Sequence, residues 1–182
     1  QRWKTFLRNH QHGIAAMDFL VVPTARFRLS YAWFVIDHGR REMIHFGVTE
    51  HPTSSWVVQH LREAFPNDTS PQFLIYDNDS IFSERVTETI ENIGIAPRRT
   101  AFRSPWQNGI AERWVGSARR ELLDHVIGLN EKHLQHLLRE YTRKLRFLPT
   151  TTLTASTPSC KIRRWADLPS IAQRLRPKSL DC

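Results

Sequence analysis

Three carboxylates stand where a carboxylate is costly or conspicuous. Asp18 lies inside the apolar run 14–22, between Met17 and Phe19-Leu20. Asp77 follows directly where the apolar run 72–76 ends, and Glu112 sits near the start of a long helical pattern. A charged group inside a strand is unfavourable unless it is paired or binds a metal. Alone, Asp18 reads as an acid facing water from an edge strand. Together, three carboxylates on separate elements can converge on one pair of divalent ions, and hard oxygen donors suit Mg²⁺ or Mn²⁺. Two such ions about 4 Å apart can activate a water or a 3′-hydroxyl and stabilise the leaving oxygen of a phosphodiester. That chemistry needs acids fixed by rigid strands yet open to solvent at the edge of a sheet.

The elements that must hold them follow from periodicity. Residues 14–22 read as a buried strand ended by Pro23 and Thr24. Residues 29–37 and 42–49 read as a hairpin across His38-Gly39-Arg40-Arg41, with Asp37 opening the turn. Trp56, Val57, His60, Leu61 and Ala64 recur at helical spacing, with Thr53 or Ser54 as N-cap and Pro66-Asn67-Asp68 as the stop. A strand over 72–76, a helix over 81–93 with Gly94 as C-cap, and a brief strand over 95–98 come next. A polar loop over 103–108 leads into a long helix from 108 to 127, with Val115, Ala118, Leu122 and Val126 as its core stripe. Gly128 ends it, and Asn130 caps a further helix to about residue 145. A meander followed by alternating helix and strand points to a mixed α/β sheet with helices on it.

Charge is uneven. The 182 residues carry 26 Lys+Arg against 18 Asp+Glu, a net of +8. Residues 1–140 hold 17 basic and 16 acidic side chains, and residues 141–182 hold 9 and 2. A basic tail suggests a polyanion partner, most often nucleic acid, or else a solvated extension. Threonines and prolines crowd 149–158 without a hydrophobic period, so a boundary falls near 145, with a weakly structured tail over 146–182. Trp165, Leu168, Ile171 and Leu175 could form a short amphipathic turn there. No apolar stretch is long enough for a membrane span. The first residue is Gln1 and no signal peptide is visible, as expected for a piece of something longer. Two cysteines, Cys160 and Cys182, exclude a disulfide framework and fit an intracellular, cytoplasmic setting. The nine histidines show no zinc spacing, and His10-Gln11-His12 reads as a linker feature.

The acids resemble the Asp–Asp–Glu triad of retroviral-integrase-type transposases, especially the catalytic cores of bacterial insertion sequences. Asp77 and Glu112 enclose 34 residues, about the number common in such families. Ser104-Pro105-Trp106-Gln107-Asn108-Gly109-Ile110-Ala111-Glu112-Arg113 matches a Ser-Pro-x-x-Asn-Gly-x-x-Glu-Arg pattern. Asp77-Asn78 followed by Phe82 resembles an Asp-Asn-Gly-x-x-Phe segment, with Asp79 in place of the glycine. Trp3 to Leu7 ahead of Met17-Asp18-Phe19 resembles a lead-in strand region. The likeness covers about residues 1–141 and implies an RNase H-like fold, a five-stranded mixed sheet flanked by helices, with residues 1–145 as the catalytic core. It implies strand cleavage and strand transfer on DNA, at element ends and target, by a dimer or larger assembly with two Mg²⁺ or Mn²⁺ ions and no small-molecule cofactor. Asp18, Asp77 and Glu112 are then the catalytic metal ligands.

Arg119, seven residues after Glu112 on the same helical face, matches a phosphate-holding position, or is a surface arginine paired with an acid one turn away. Arg113 and Arg120 are further DNA-contact candidates. Asn108 reads first as a helix cap that also shapes the loop, while Ser104, Trp106 and Gln107 line a loop that could close over DNA. There Trp106 either stacks on a base or is an ordinary packed tryptophan. Asp79 is read as a companion of Asp77 and Asp124 as a surface acid. The helix-turn-helix segments that usually precede such a core are not found. After Tyr141 the expected Tyr-Asn-x-x-Arg-x-His-like segment is replaced by Thr142 to Pro149, which suits a shifted reading frame that would leave the enzyme inactive. The rival readings are a nuclease of the same fold and a non-catalytic DNA-binding remnant.

Overall fold

A computed structural model describes residues 2–66, 70–101 and 104–147. The tail over 148–182, with the amphipathic turn expected in it, lies outside the described residues. The elements in chain order are α1 (Arg2–His10), β1 (Ile14–Pro23), β2 (Leu29–Asp37), β3 (Met43–Thr49), α2 (Ser54–Ala64), β4 (Phe73–Tyr76), α3 (Glu84–Asn92), β5 (Ala96–Arg99), α4 (Gly109–Ala118) and α5 (Glu131–Phe147). The sheet order is β3-β2-β1-β4-β5. β1, β2 and β3 pair antiparallel, while β4 and β5 run parallel to β1. This is the expected mixed sheet.

Register decides which side chains share a face. Met17 pairs with Val35 and Phe19 with Trp33; these join Leu74, Tyr76, Phe82 and the apolar sides of α2 and α3 in one core. Asp18 pairs with Phe34 and so points to the opposite face. On that face α4 packs against β1 and α5 against β3, and Trp114 lies 4.2 Å from Phe34 between ring centroids. The buried stripe of α4 and the turn after it is Ala111, Trp114, Ala118 and Leu122. Val115 and Val126, expected in that stripe, are only half-buried, because the large Trp114 fills the centre of the contact.

Three local features differ from the sequence expectation. Trp3 to Leu7 is helix, not strand: Trp3, Phe6 and His10 recur at helical spacing, and Phe6 and His10 pack on Phe73 at 5.0 and 5.1 Å. The long helix over 108–127 is broken up. A 3₁₀ turn covers Pro105–Asn108, α4 ends at Ala118, and a π-helical turn follows over Arg119–Leu123. Finally, α3 begins at Glu84 rather than 81, since Asp79 and Ser80 hold a turn instead. Gly94 ends that helix at a φ of 85°, the left-handed conformation that glycine adopts without strain.

Of the two candidate caps for α2, the structure selects Thr53, whose Oγ1 accepts from the Trp56 N–H at 3.2 Å. Ser54 instead donates to the Ile81 carbonyl at 2.9 Å. Thr53→Ala is expected to lower stability by about 1 kcal/mol, the usual cost of losing such a cap, read as a shift of the urea midpoint. At its outer edge β5 carries Ala96, Pro97, Arg98 and Arg99. Arg98 and Arg99 are exposed and lean over the rings of Phe73 and Tyr76 at 4.9 and 5.5 Å.

Candidate active site

Asp18 is the middle residue of β1, the central strand, on the face covered by α4. Asp77 follows the last residue of neighbouring β4. Since Ala16 pairs with Ile75, two residues before Asp77, the register brings Asp77 to the same face as Asp18. Glu112 lies in the first turn of α4, which packs on β1. The middle of β1, the end of β4 and the start of α4 thus come together.

The electrostatics record the meeting. Burial raises the Asp18 carboxyl from 3.8 to about 7, and the negative charges of Asp77, Glu112 and Asp79 add to the rise. The Phe19 N–H, donating to Asp18 Oδ1 at 2.7 Å, opposes it. Asp77 is raised too, chiefly by burial, although it accepts from the Asp79 N–H at 3.3 Å. Glu112 is exposed. Among the described residues no salt bridge reaches Asp18, Asp77 or Glu112. The three do not form a closed ligand set, since oxygens from all three do not lie within 4.8 Å of one another.

Asp79 is a turn-forming acid. Its Oδ1 accepts from the Ile81 N–H at 2.9 Å, and it adds negative charge beside Asp77. Asn108 stands at the N-cap position of α4, as expected, but its side chain makes no capping bond. Its amide instead donates to the Met17 carbonyl at 3.2 Å, in a buried contact. This ties the start of α4 to the residue before Asp18, and so fixes Glu112 relative to the strand.

The loop residues divide. Gln107 Oε1 accepts from the Ala101 N–H at 2.7 Å, and its carbonyl accepts from Trp3 Nε1 at 3.1 Å. Gln107 therefore shapes the loop and anchors it to α1, an anchor no sequence motif announced. Trp106 is 59% exposed, which excludes the packed-tryptophan alternative. Arg113, Arg119 and Arg120 are all exposed, and neither Arg113 nor Arg119 forms a salt bridge among the described residues. Asp124 is exposed, as expected of a surface acid.

No family model matches the chain. Over 98 residues it is 34% identical to the transposase InsD for insertion element IS2A/D/F/H/I/K of Escherichia coli, covering 50% of this chain and 33% of that protein. The chain spans less than half the length of the curated relatives it matches. Two solved structures of the Mos1 transposase catalytic domain with raltegravir, one with Mg and one with Mn, superpose with a TM-score of 0.65. They are 13% and 14% identical in sequence and match 78% of this chain and 76% of theirs. The HTLV-2 integrase catalytic core domain in complex with magnesium gives 0.50 at 15% identity, over 78% of each chain. The fold is the RNase H-like one of transposase and integrase catalytic cores. In this fold the acids singled out in the sequence lie around the end of β4: Asp18 on neighbouring β1, Asp77 just after β4 and Glu112 in the first turn of α4. No helix among the described residues is long and apolar enough to cross a membrane.

Proposed function

We propose that residues 1–145 are the catalytic core of an insertion-sequence transposase, a polynucleotidyl transferase that cuts and joins DNA, with residues 146–182 as a basic DNA-binding tail. The observation that carries this reading is the placement of Asp18, Asp77 and Glu112 around the end of β4, where burial chiefly, and the neighbouring negative charges in addition, push the Asp18 carboxyl up to about 7. The donor set fits the divalent ion such chemistry needs: three carboxylates offer hard oxygens, and no described basic side chain neutralises them. Asp18 and Asp77 would share the ions, and Glu112 would hold the second. Bound Mg²⁺ or Mn²⁺ supplies the positive charge that activates a water or 3′-hydroxyl and steadies the leaving oxygen. The residues of the chain do the positioning, which is most of the catalysis in phosphoryl transfer. The Phe19 N–H fixes one Asp18 oxygen and leaves the other for a ligand, while Asn108 holds α4 in register with β1.

DNA would lie along α4 and the loop before it. Arg119 and Arg113, exposed and without a salt bridge among the described residues, are suited to phosphate; Arg120 lies beside them, and Trp106 offers an exposed face for stacking on a base. Arg119→Ala is expected to weaken binding uniformly across DNA sequences and to lower the slope of log K against log salt by about 1, measured by fluorescence anisotropy at several salt concentrations. Joining two element ends calls for two copies of the chain or more. The test of the whole reading is metal-dependent cleavage and joining on a branched DNA that mimics the strand-transfer product. Cleavage without joining would make the chain a nuclease. The net charge of the tail favours a second reading, a non-catalytic DNA-binding remnant, which predicts DNA binding without turnover.

A further inference from the structure

On the other face of the sheet from Asp18, three metal-binding side chains converge in a way the transferase chemistry does not use. His45 is on β3, where it pairs with Val35 and so faces α2. His60 and Glu63 are one helical turn apart on α2, at a spacing that stacks side chains on one face. His45 Nε2 lies 2.8 Å from His60 Nδ1. Glu63 Oε2 is 3.1 Å from His60 Nδ1 and 3.6 Å from His45 Nε2. Among the described residues this is the only group of three metal-binding side chains whose ligand atoms all lie within 4.8 Å of one another.

We propose that His45 Nε2, His60 Nδ1 and Glu63 Oε2 form a Zn²⁺ site that joins the edge strand β3 to α2. Zn²⁺ bonds of about 2.0–2.1 Å in tetrahedral geometry separate neighbouring ligand atoms by about 3.3 Å. The three distances bracket that value. Two imidazole nitrogens and one carboxylate oxygen are a donor set Zn²⁺ favours, whereas Mg²⁺ prefers oxygen alone. Water would complete the fourth position, beside the exposed Glu63.

The surroundings hold the ligands in place. Gln59 Nε2 donates to Glu63 Oε1 at 2.9 Å, which turns Oε2 towards the imidazoles. Trp56 packs edge-on against the His60 ring at 4.1 Å, and Trp33 lies about 6 Å from both rings. His60 Nε2 is pressed against β3 at Gly47, where a Cβ would stand 2.6 Å from it. Nδ1 is thereby the nitrogen left to face His45 and Glu63. Burial lowers both histidine pKa values and favours the neutral, ligating form.

The full 182-residue chain, stripped with a chelator, tests the site by calorimetric titration with ZnCl₂, CoCl₂ and MgCl₂. The expected result is one Zn²⁺ held by these ligands with a rise in melting temperature and the visible absorption of tetrahedral Co²⁺, while any response to Mg²⁺, which belongs to the carboxylates on the other face of the sheet, is unchanged by Glu63→Gln. Losing a ligand should cost at least the 10–100-fold typical of losing a second-sphere partner. His45→Gln and Glu63→Gln are therefore each expected to weaken Zn²⁺ by about tenfold or more and to abolish the Co²⁺ bands, while His12→Gln leaves both unchanged. Glu63 is exposed, so Glu63→Gln decides the matter even if His45→Gln melts early in metal-free buffer. Unchanged Zn²⁺ affinity and Co²⁺ bands in a folded Glu63→Gln protein, or no Zn²⁺ bound by the original chain, overturns the proposal.

Discussion

Glu112→Gln is expected to remove joining activity on branched DNA in both Mg²⁺ and Mn²⁺ while leaving the melting temperature where it was. The carboxylate would help hold an ion worth several kcal/mol of transition-state charge stabilisation, and each 1.36 kcal/mol is a factor of ten in rate. A loss of about 10³-fold or more follows. Stability should hardly change, because Glu112 is exposed in the first turn of α4 and such surface substitutions usually stay within about 0.5 kcal/mol. Loss of rate at constant melting temperature separates a ligand from a packing residue. Equal turnover by both proteins would remove Glu112 from the site, and absence of turnover by a folded original chain would favour the remnant.

Asp18→Asn should do the reverse to stability. The Asp18 carboxyl is raised in the folded chain from 3.8 to about 7, so between those values the folded state holds a proton that the unfolded state has released. Stability therefore falls as pH rises through this window and is fullest below the unfolded value. Three units correspond to about 4 kcal/mol at most. The amide mimics the protonated acid and keeps an oxygen for the Phe19 N–H. In metal-free buffer Asp18→Asn is expected to be more stable than the original chain by about 1–4 kcal/mol at pH 8, with the gap closing towards pH 4. Urea unfolding across pH measures it. Added Mg²⁺ should narrow the gap at pH 8 by stabilising only the original chain. A gap that is flat with pH would mean that Asp18 is not held protonated by its surroundings.

The strands of the sheet were legible because β1, β2 and β4 are apolar runs with sharp polar ends, and Asp18 was conspicuous for the same reason. What escaped depended on partners remote in sequence. The spacing of Trp3, Phe6 and His10 is helical, but the seat that Phe6 finds against Phe73 is remote in sequence and decides that the segment packs as a helix. Asn108 has the residue type of a cap, yet its amide is directed to the Met17 carbonyl, a bond that exists only once α4 lies on β1. Trp114 was missed as the centre of the α4 stripe because its neighbour Val115 offered an equally apolar phase. The four-residue spread of His60 and Glu63 on α2 was visible in the sequence. The arrival of His45 beside them was not, because it follows from the register of β3.

The composition of β5 sets a limit on how copies of this chain can meet. A strand with one neighbour ordinarily offers its unused backbone groups to another molecule, which is a route to sheet extension and aggregation. Here that outer strand is four residues long and contains Pro97, which lacks an N–H, followed by two exposed arginines. Cationic side chains and a missing donor discourage a second sheet from adding on that side. Copies that associate are thereby steered away from this edge of the sheet.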